Sequence, residues 1–311
     1  MTKIPLKGVT VATVLPFLSS GSIDWPGYQR LLAYCTAPAG ISGVFVNGHA
    51  GESAALSDTE RASVIRFTRE NMRTDQRLIA GLVADTTQQA VAQAKAALNA
   101  GADVLTVFPL LPVDGVGCDA RDVLAHVQAI GEAADLPLAL FQYPIGSGAA
   151  YSTPTLVALA ALPWVVGIKE GSDTMTLYED NWRAVKAAAP DVAILPSNFD
   201  WFLPQLAVGG DGILSGLASL APHSLARLWE ASERNDLVAM RAVSDSLYPL
   251  VRAIYALPRA DMYARIKLAL QHLGMIDSAH SRSSKTTFGT EATTALASAM
   301  THAGLATGTW A

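Results

Sequence analysis

A chain of 311 residues, half of them apolar and 16% charged, can bury a large core, so disorder is not expected. The formal net charge of −5 offers no basic field for nucleic acid, and the two cysteines, Cys35 and Cys118, fit neither a metal or redox spacing nor a secreted disulfide scaffold. The opening Met1-Thr2-Lys3-Ile4-Pro5-Leu6-Lys7 has no apolar core of signal-peptide length and no later run could span a bilayer, so a soluble cytoplasmic protein without a membrane partner is expected.

Residues 9–14 form a β-rich run, and Asp24 then caps a helical pattern through Tyr34. A second short strand at 43–46 runs into the turn-forming cluster Asn47-Gly48-His49-Ala50-Gly51-Glu52. Ser57-Asp58-Thr59-Glu60 has the form of a capping box and starts a helix carrying Ile65, Phe67 and Met72. A strand at 78–83 precedes a helix over 86–99 that Gly101 closes. The fourth strand is 104–108, followed by a Gly-rich loop and a helix over 121–134. The fifth is 138–141, with Thr153-Pro154 opening the next helix. The sixth is the β-branched run that ends Val165-Val166-Gly167-Ile168-Lys169. A helix over 174–189, a strand at 192–195, a helix at 201–208 and a strand at 212–215 complete the alternation.

Eight strands alternating with helices predict a parallel sheet, and the even repetition favours a closed (β/α)8 TIM barrel. An open doubly wound sheet would carry a glycine fingerprint after its first strand, which is missing here. After about Asp236 the strands stop. Amphipathic stretches at 237–255, 262–273 and 291–303 predict a helical appendage, so the chain divides into a barrel over 1–235 and a C-terminal helical extension over 236–311 packed on it. The charged stretches read as solvated faces. His126, His223, His272 and His302 have no ligand-spaced partners, and no metal site is expected.

Lys169 is the unusual residue. A buried strand excludes an ammonium unless it is paired, whereas a desolvated lysine loses its proton and becomes a nucleophile towards carbonyl carbon. The plainer readings are a lysine that snorkels to the surface or pairs with Glu170. On a barrel, chemistry sits at the C-terminal ends of the strands. That rule gathers Lys169, the turn at 48–52, Tyr143 and Ser197-Asn198 round one pocket and favours the reactive lysine.

These residues, in this order, resemble the dihydrodipicolinate synthase/N-acetylneuraminate lyase family of class I aldolases, over about residues 8–273. Four signatures carry the resemblance: Leu15-Pro16-Phe17 with Gly21-Ser22-Ile23-Asp24, Gly48-His49-Ala50-Gly51-Glu52, Gly167-Ile168-Lys169-Glu170, and Gly209-Gly210-Asp211-Gly212-Ile213-Leu214-Ser215-Gly216. It implies that Lys169 forms a Schiff base with a 2-oxo acid such as pyruvate, with no metal and no dissociable cofactor. The substrate carboxylate would lie on the backbone N–H groups of Gly48 to Gly51, Ala50 included, an anion nest that needs no particular side chains. Ser197, Asn198 and Ser215 complete the substrate-binding set, and a homotetramer is implied.

The chain departs from the family where protons move. The aligned family tyrosine is Phe141, in Phe141-Gln142-Tyr143-Pro144, and the second threonine of the turn is Ala50. Leu110 and Leu111 replace tyrosines after the fourth strand, and Gly146 stands where synthase members place an arginine for the semialdehyde carboxylate. These departures speak against dihydrodipicolinate synthase activity itself and for a more apolar acceptor. Tyr143, two residues on from Phe141 and so on the same strand face, and His49, with a pKa near neutrality, are the acid–base candidates. Glu52 reads as a structural acceptor for turn amides. The expected function is a lyase on a 2-oxo acid through the Lys169 imine, by aldol cleavage or condensation or by hydration or dehydration. One alternative is a 2-oxo-3-deoxy sugar acid dehydratase using His49, with Ser172, Asp173, Ser197 and Asn198 for polyol recognition. Another is a 2-oxo-acid binding protein without turnover.

Overall fold

Parallel neighbours cannot be joined by tight turns, so each strand here returns through a helix. The computed structural model describes residues 6–110, 119–197 and 202–305; residues 1–5, Leu111, Cys118 and Asn198, named above, and the expected helix start at 201 lie outside them. The strands are β1 Gly8–Ala12, β2 Ile41–Val46, β3 Arg77–Leu82, β4 Val104–Val107, β5 Leu138–Gln142, β6 Val165–Glu170, β7 Ala193–Pro196 and β8 Gly212–Ser215. Between and after them run α1 Trp25–Thr36, α2 Asp58–Asn71, α3 Thr87–Asn99, α4 Ala120–Ala134, α5 Thr153–Ala160, α6 Met175–Ala188, α7 Phe202–Val208 and α8 Pro222–Glu233. All strand pairs are parallel, in the order β7-β6-β5-β4-β3-β2-β1-β8.

The seam between β7 and β8 is closed by Asp211. Its N–H donates to Ile194 O (2.8 Å) and its carboxylate accepts the Ile194 N–H (2.7 Å) while holding Lys186 Nζ at 2.7 Å. The result is a nearly closed (β/α)8 barrel. Its strands are buried almost throughout, Val9, Val44, Leu78, Leu105, Leu140, Ile168, Ile194 and Ile213 among them. Burial on both faces explains why they read as continuous apolar runs rather than alternating ones.

Helix starts follow local chemistry. Asp24, Ser57, Thr86, Asp119, Ser152 and Thr174 each accept a first-turn N–H of the helix they precede, satisfying donors that have no intrahelical partner. At Ser57 the full capping box forms, with Glu60 returning to the Ser57 N–H at 2.9 Å.

Strand ends differ from expectation by long-range bonding. β1 stops at Ala12: the Thr13 N–H still completes the ladder to Phe45 O (3.1 Å), but the Val14 N–H leaves it for Ser219 Oγ (3.2 Å). β5 continues to Gln142, which stays in register with Glu170 of β6.

Past the barrel lie α9 Leu237–Ile254, α10 Met262–His272 and α11 Thr290–His302. The apolar stripe of α10 (Tyr263, Ile266 and Leu270) is buried, and Lys267 lies buried on the same face. The 280–283 segment after α10 reaches back to the barrel: Arg282 forks onto Glu60 (2.7 and 3.0 Å) and donates to Gly21 O (2.7 Å). Lys267 and Arg282 are thus held against the barrel rather than in solvent. No helix among the described residues is long and apolar enough to cross a membrane.

Candidate active site

A cavity of about 500 Å³ opens at the C-terminal ends of the strands, lined by Phe45, Ala50, Phe141, Lys169, Ser197 and Ser215 among others. Lys169 is at its base, 8% exposed, in register with Phe141 on one side and Leu195 on the other. Its Nζ is 3.7 Å from the Phe141 ring centroid and 5.3 Å from that of Phe45. A ring face returns about 2 kcal/mol or somewhat more to a desolvated ammonium, short of the several kcal/mol lost on leaving water. Burial therefore wins and brings the lysine down to about 7. The side chain neither reaches the surface nor meets Glu170, whose carboxylate takes Ser172 Oγ (2.8 Å), the Ser172 N–H (3.2 Å) and Asn181 Nδ2 (3.0 Å). Neighbouring residues of a strand face opposite ways, and that separates the two.

Above β2 the chain enters the turn through Asn47 (φ +55°) and leaves it through Glu52 (φ +54°). Gly48 is required there, since a Cβ would lie 2.5 Å from the Phe45 ring. Among the described residues, no backbone acceptor takes the N–H groups of Gly48, His49, Ala50 or Gly51. The side chains of Ala50 and His49 face the cavity. His49 is exposed as a side chain, yet its ring is held edge-on to Tyr263 at 5.4 Å, and Nε2 donates to Ala260 O at 3.3 Å. That bond leaves Nδ1 as the nitrogen with a free lone pair on the neutral ring. Desolvation of the ring, then the nearby Lys169 charge, holds its pKa below the ordinary histidine value.

Tyr143 also lines the cavity, its ring 4.7 Å from Phe141 and 6.1 Å from Phe108. Burial pushes its phenol up to about 12, so it keeps its proton at neutral pH. Ser215 lines the wall with its oxygen accepting the Leu217 N–H (3.1 Å), and Ser197 Oγ donates to Glu170 O (2.9 Å). Asp173 is at the rim, but the Ser172 hydroxyl is turned away onto Glu170. Asn198 lies outside the described residues. Gly146 is exposed, with nothing within 4 Å of an added Cβ.

Two findings were not read from the sequence. The extension supplies part of the mouth, through Tyr255, Arg259, Ala260 and Met262. Glu52 is indeed a structural acceptor, but not for turn amides: its buried carboxylate takes Lys267 Nζ, Ser281 Oγ (2.8 Å) and the Ser283 N–H (2.8 Å). A lysine on the apolar stripe of an amphipathic helix was the signal available for that pair. Among the described residues no group of three or more His, Cys, Asp or Glu side chains is placed to hold a metal ion.

Residues 5–303 match the model of the dihydrodipicolinate synthetase family. The 4-hydroxy-tetrahydrodipicolinate synthase of a Synechococcus species is 32% identical over 261 residues, covering 82% of this chain and 83% of that one. The dihydrodipicolinate synthase structure from Thermotoga maritima superposes with a TM-score of 0.89 at 25% identity, covering 96% of this chain and 99% of its own. A dihydrodipicolinate synthase variant described as the first monomeric one gives a TM-score of 0.89 at 25% identity, covering 97% and 98%.

Proposed function

The chain belongs to the dihydrodipicolinate synthetase family of class I aldolases and lyases, and from that premise we propose that it cleaves or forms a bond in a 2-oxo acid through an imine on Lys169. The observation that carries this reading is the buried amine at the base of the cavity, with a pKa of about 7 and no ion-pair partner among the described residues. Half of such a group is neutral near pH 7, and the neutral amine attacks the C2 carbonyl carbon. Loss of the carbonyl oxygen as water leaves a protonated imine, an electron sink. The pair from a breaking bond at C3, to a proton or to a carbon fragment, flows into it and leaves an enamine. Reprotonation at C3 and hydrolysis return the product and free Lys169. Neutral His49, with Nδ1 open, serves as base, and protonated Tyr143 as acid.

The N–H groups of the 48–51 turn take the C1 carboxylate. Phe45, Phe141 and Ala50 favour an apolar distal fragment, and Gly146 offers no side chain for a second carboxylate. The polyol reading loses support, because the Ser172 hydroxyl is committed to Glu170. A homotetramer and a cytoplasmic setting belong to the same proposal; exposed Val238, Tyr248 and Leu257 on the extension offer apolar surface for contact between copies.

Deuterium exchange separates a lyase from a mere binder. In D2O the protein is expected to exchange the C3 hydrogens of pyruvate or a larger 2-oxo acid, followed by NMR, and Lys169→Met to show none. Saturable binding with no exchange for any 2-oxo acid would overturn the lyase reading.

A further inference from the structure

The four N–H groups of residues 48–51 have no backbone acceptors among the described residues, so their direction depends on how the flanks of the turn are held. The flanks are the two left-handed residues, Asn47 and Glu52, a conformation that side-chain-bearing residues keep only when their surroundings impose it. At Asn47 the hold comes from α2, through Nδ2 donating to Arg61 O (3.1 Å). At Glu52 it comes from the C-terminal extension. The carboxylate and Lys267 Nζ are both buried completely and bonded to each other. Lys267 also donates to His280 O (3.1 Å) and lies 4.2 Å from the Phe17 ring centroid. Two charges removed from water tolerate little displacement, because their attraction offsets the desolvation only in a close geometry. The extension grips the turn a second time at His49, through Ala260 O and the Tyr263 ring.

We infer that Lys267 is a positioning residue: through Glu52 it sets the carboxylate-binding turn, so that the extension is part of the 2-oxo-acid site. The inference rests on the reading that this turn takes the C1 carboxylate. Lys267 touches no reacting atom, and its loss acts on binding. A residue that only stabilised the fold would change the melting temperature and leave substrate affinity alone.

The test is borohydride trapping of the pyruvate adduct on the full-length protein, with pyruvate varied, for wild type, Lys267→Met and the double variant Glu52→Gln/Lys267→Met. The single variant leaves a buried carboxylate without its cation, so it is expected to lose stability. The double variant removes both charges and keeps the fold. Both are expected to raise the half-saturating pyruvate concentration by about tenfold or more, with the adduct yield at saturation close to wild type. A folded double variant with wild-type half-saturation overturns the inference. Absence of any adduct in the wild type would instead remove the imine reading on which it stands.

Discussion

Lys169 is decided by competing terms of unequal size. Burial opposes the ammonium, the two phenylalanine rings favour it weakly, and no carboxylate among the described residues pairs with it; the net effect is a fall from 10.5 to about 7. The same shift bears on stability. Between pH 7 and the unfolded lysine range the folded chain binds fewer protons than the unfolded one, so stability rises with pH across that window. Below pH 7 both states are protonated and the full burial cost is present. Lys169→Met is therefore expected to stabilise the protein most below pH 7, by on the order of 5 kcal/mol, with the gain shrinking towards pH 10. Thermal unfolding across that range checks it, and a gain independent of pH would contradict it. This lysine was legible in the sequence because a charge closing a β-branched run is conspicuous. The direction of the Ser172 hydroxyl was not, since only the folded loop turns it onto Glu170.

Among the elements, helix starts were legible and strand ends were not. Ser57 and Glu60 are three residues apart and cap each other in any context that lets the helix form. The end of β1 depends on Ser219, far away in the chain, which takes the Val14 N–H out of the ladder. A similar distant contact closes the barrel at Asp211, which holds both Ile194 and Lys186. Asp211→Ala leaves the Ile194 N–H without its acceptor and takes the carboxylate from Lys186, which keeps only Pro190 O and Val192 O, and is expected to cost about 2–3 kcal/mol. Ser57→Ala removes one cap at a helix end open to water and is expected to cost about 1 kcal/mol. Urea unfolding of the two variants gives the order, and a larger loss for Ser57→Ala would show that the seam is held by other contacts.

For the molecule as a whole, the extension acts as a strap over the turn and the start of α2 as well as a helical cover. Its presence was visible in the amphipathic stretches, and Lys267 on the apolar stripe of α10 pointed to a buried partner, but the attachment was hidden, because Arg282 looks like an ordinary surface charge and nothing in the sequence names Glu52 and Glu60 as the partners. Arg282 draws the Glu60 carboxyl down from 4.5 to about 2. A carboxylate with a depressed folded pKa contributes stability that is complete above its unfolded value and lost as pH falls through the folded one. Arg282→Met is therefore expected to be less stable than wild type at neutral pH, with the difference closing between about pH 4.5 and 2. An unchanged difference at pH 2 would assign the effect to packing against Phe17, whose ring centroid lies 4.5 Å from the guanidinium carbon. The substrate's distal fragment was the least legible feature, since it depends on a cavity assembled from several strands and the extension.

The most direct measurement is to incubate the protein with pyruvate and with larger, apolar 2-oxo acids, reduce with borohydride, digest, and locate the added mass. The expected result is a reduced adduct on the peptide containing Lys169, formed faster as pH rises through about 7 and absent from Lys169→Met. Folded protein that yields no adduct with any of these acids, or an adduct on another lysine, would contradict the central claim.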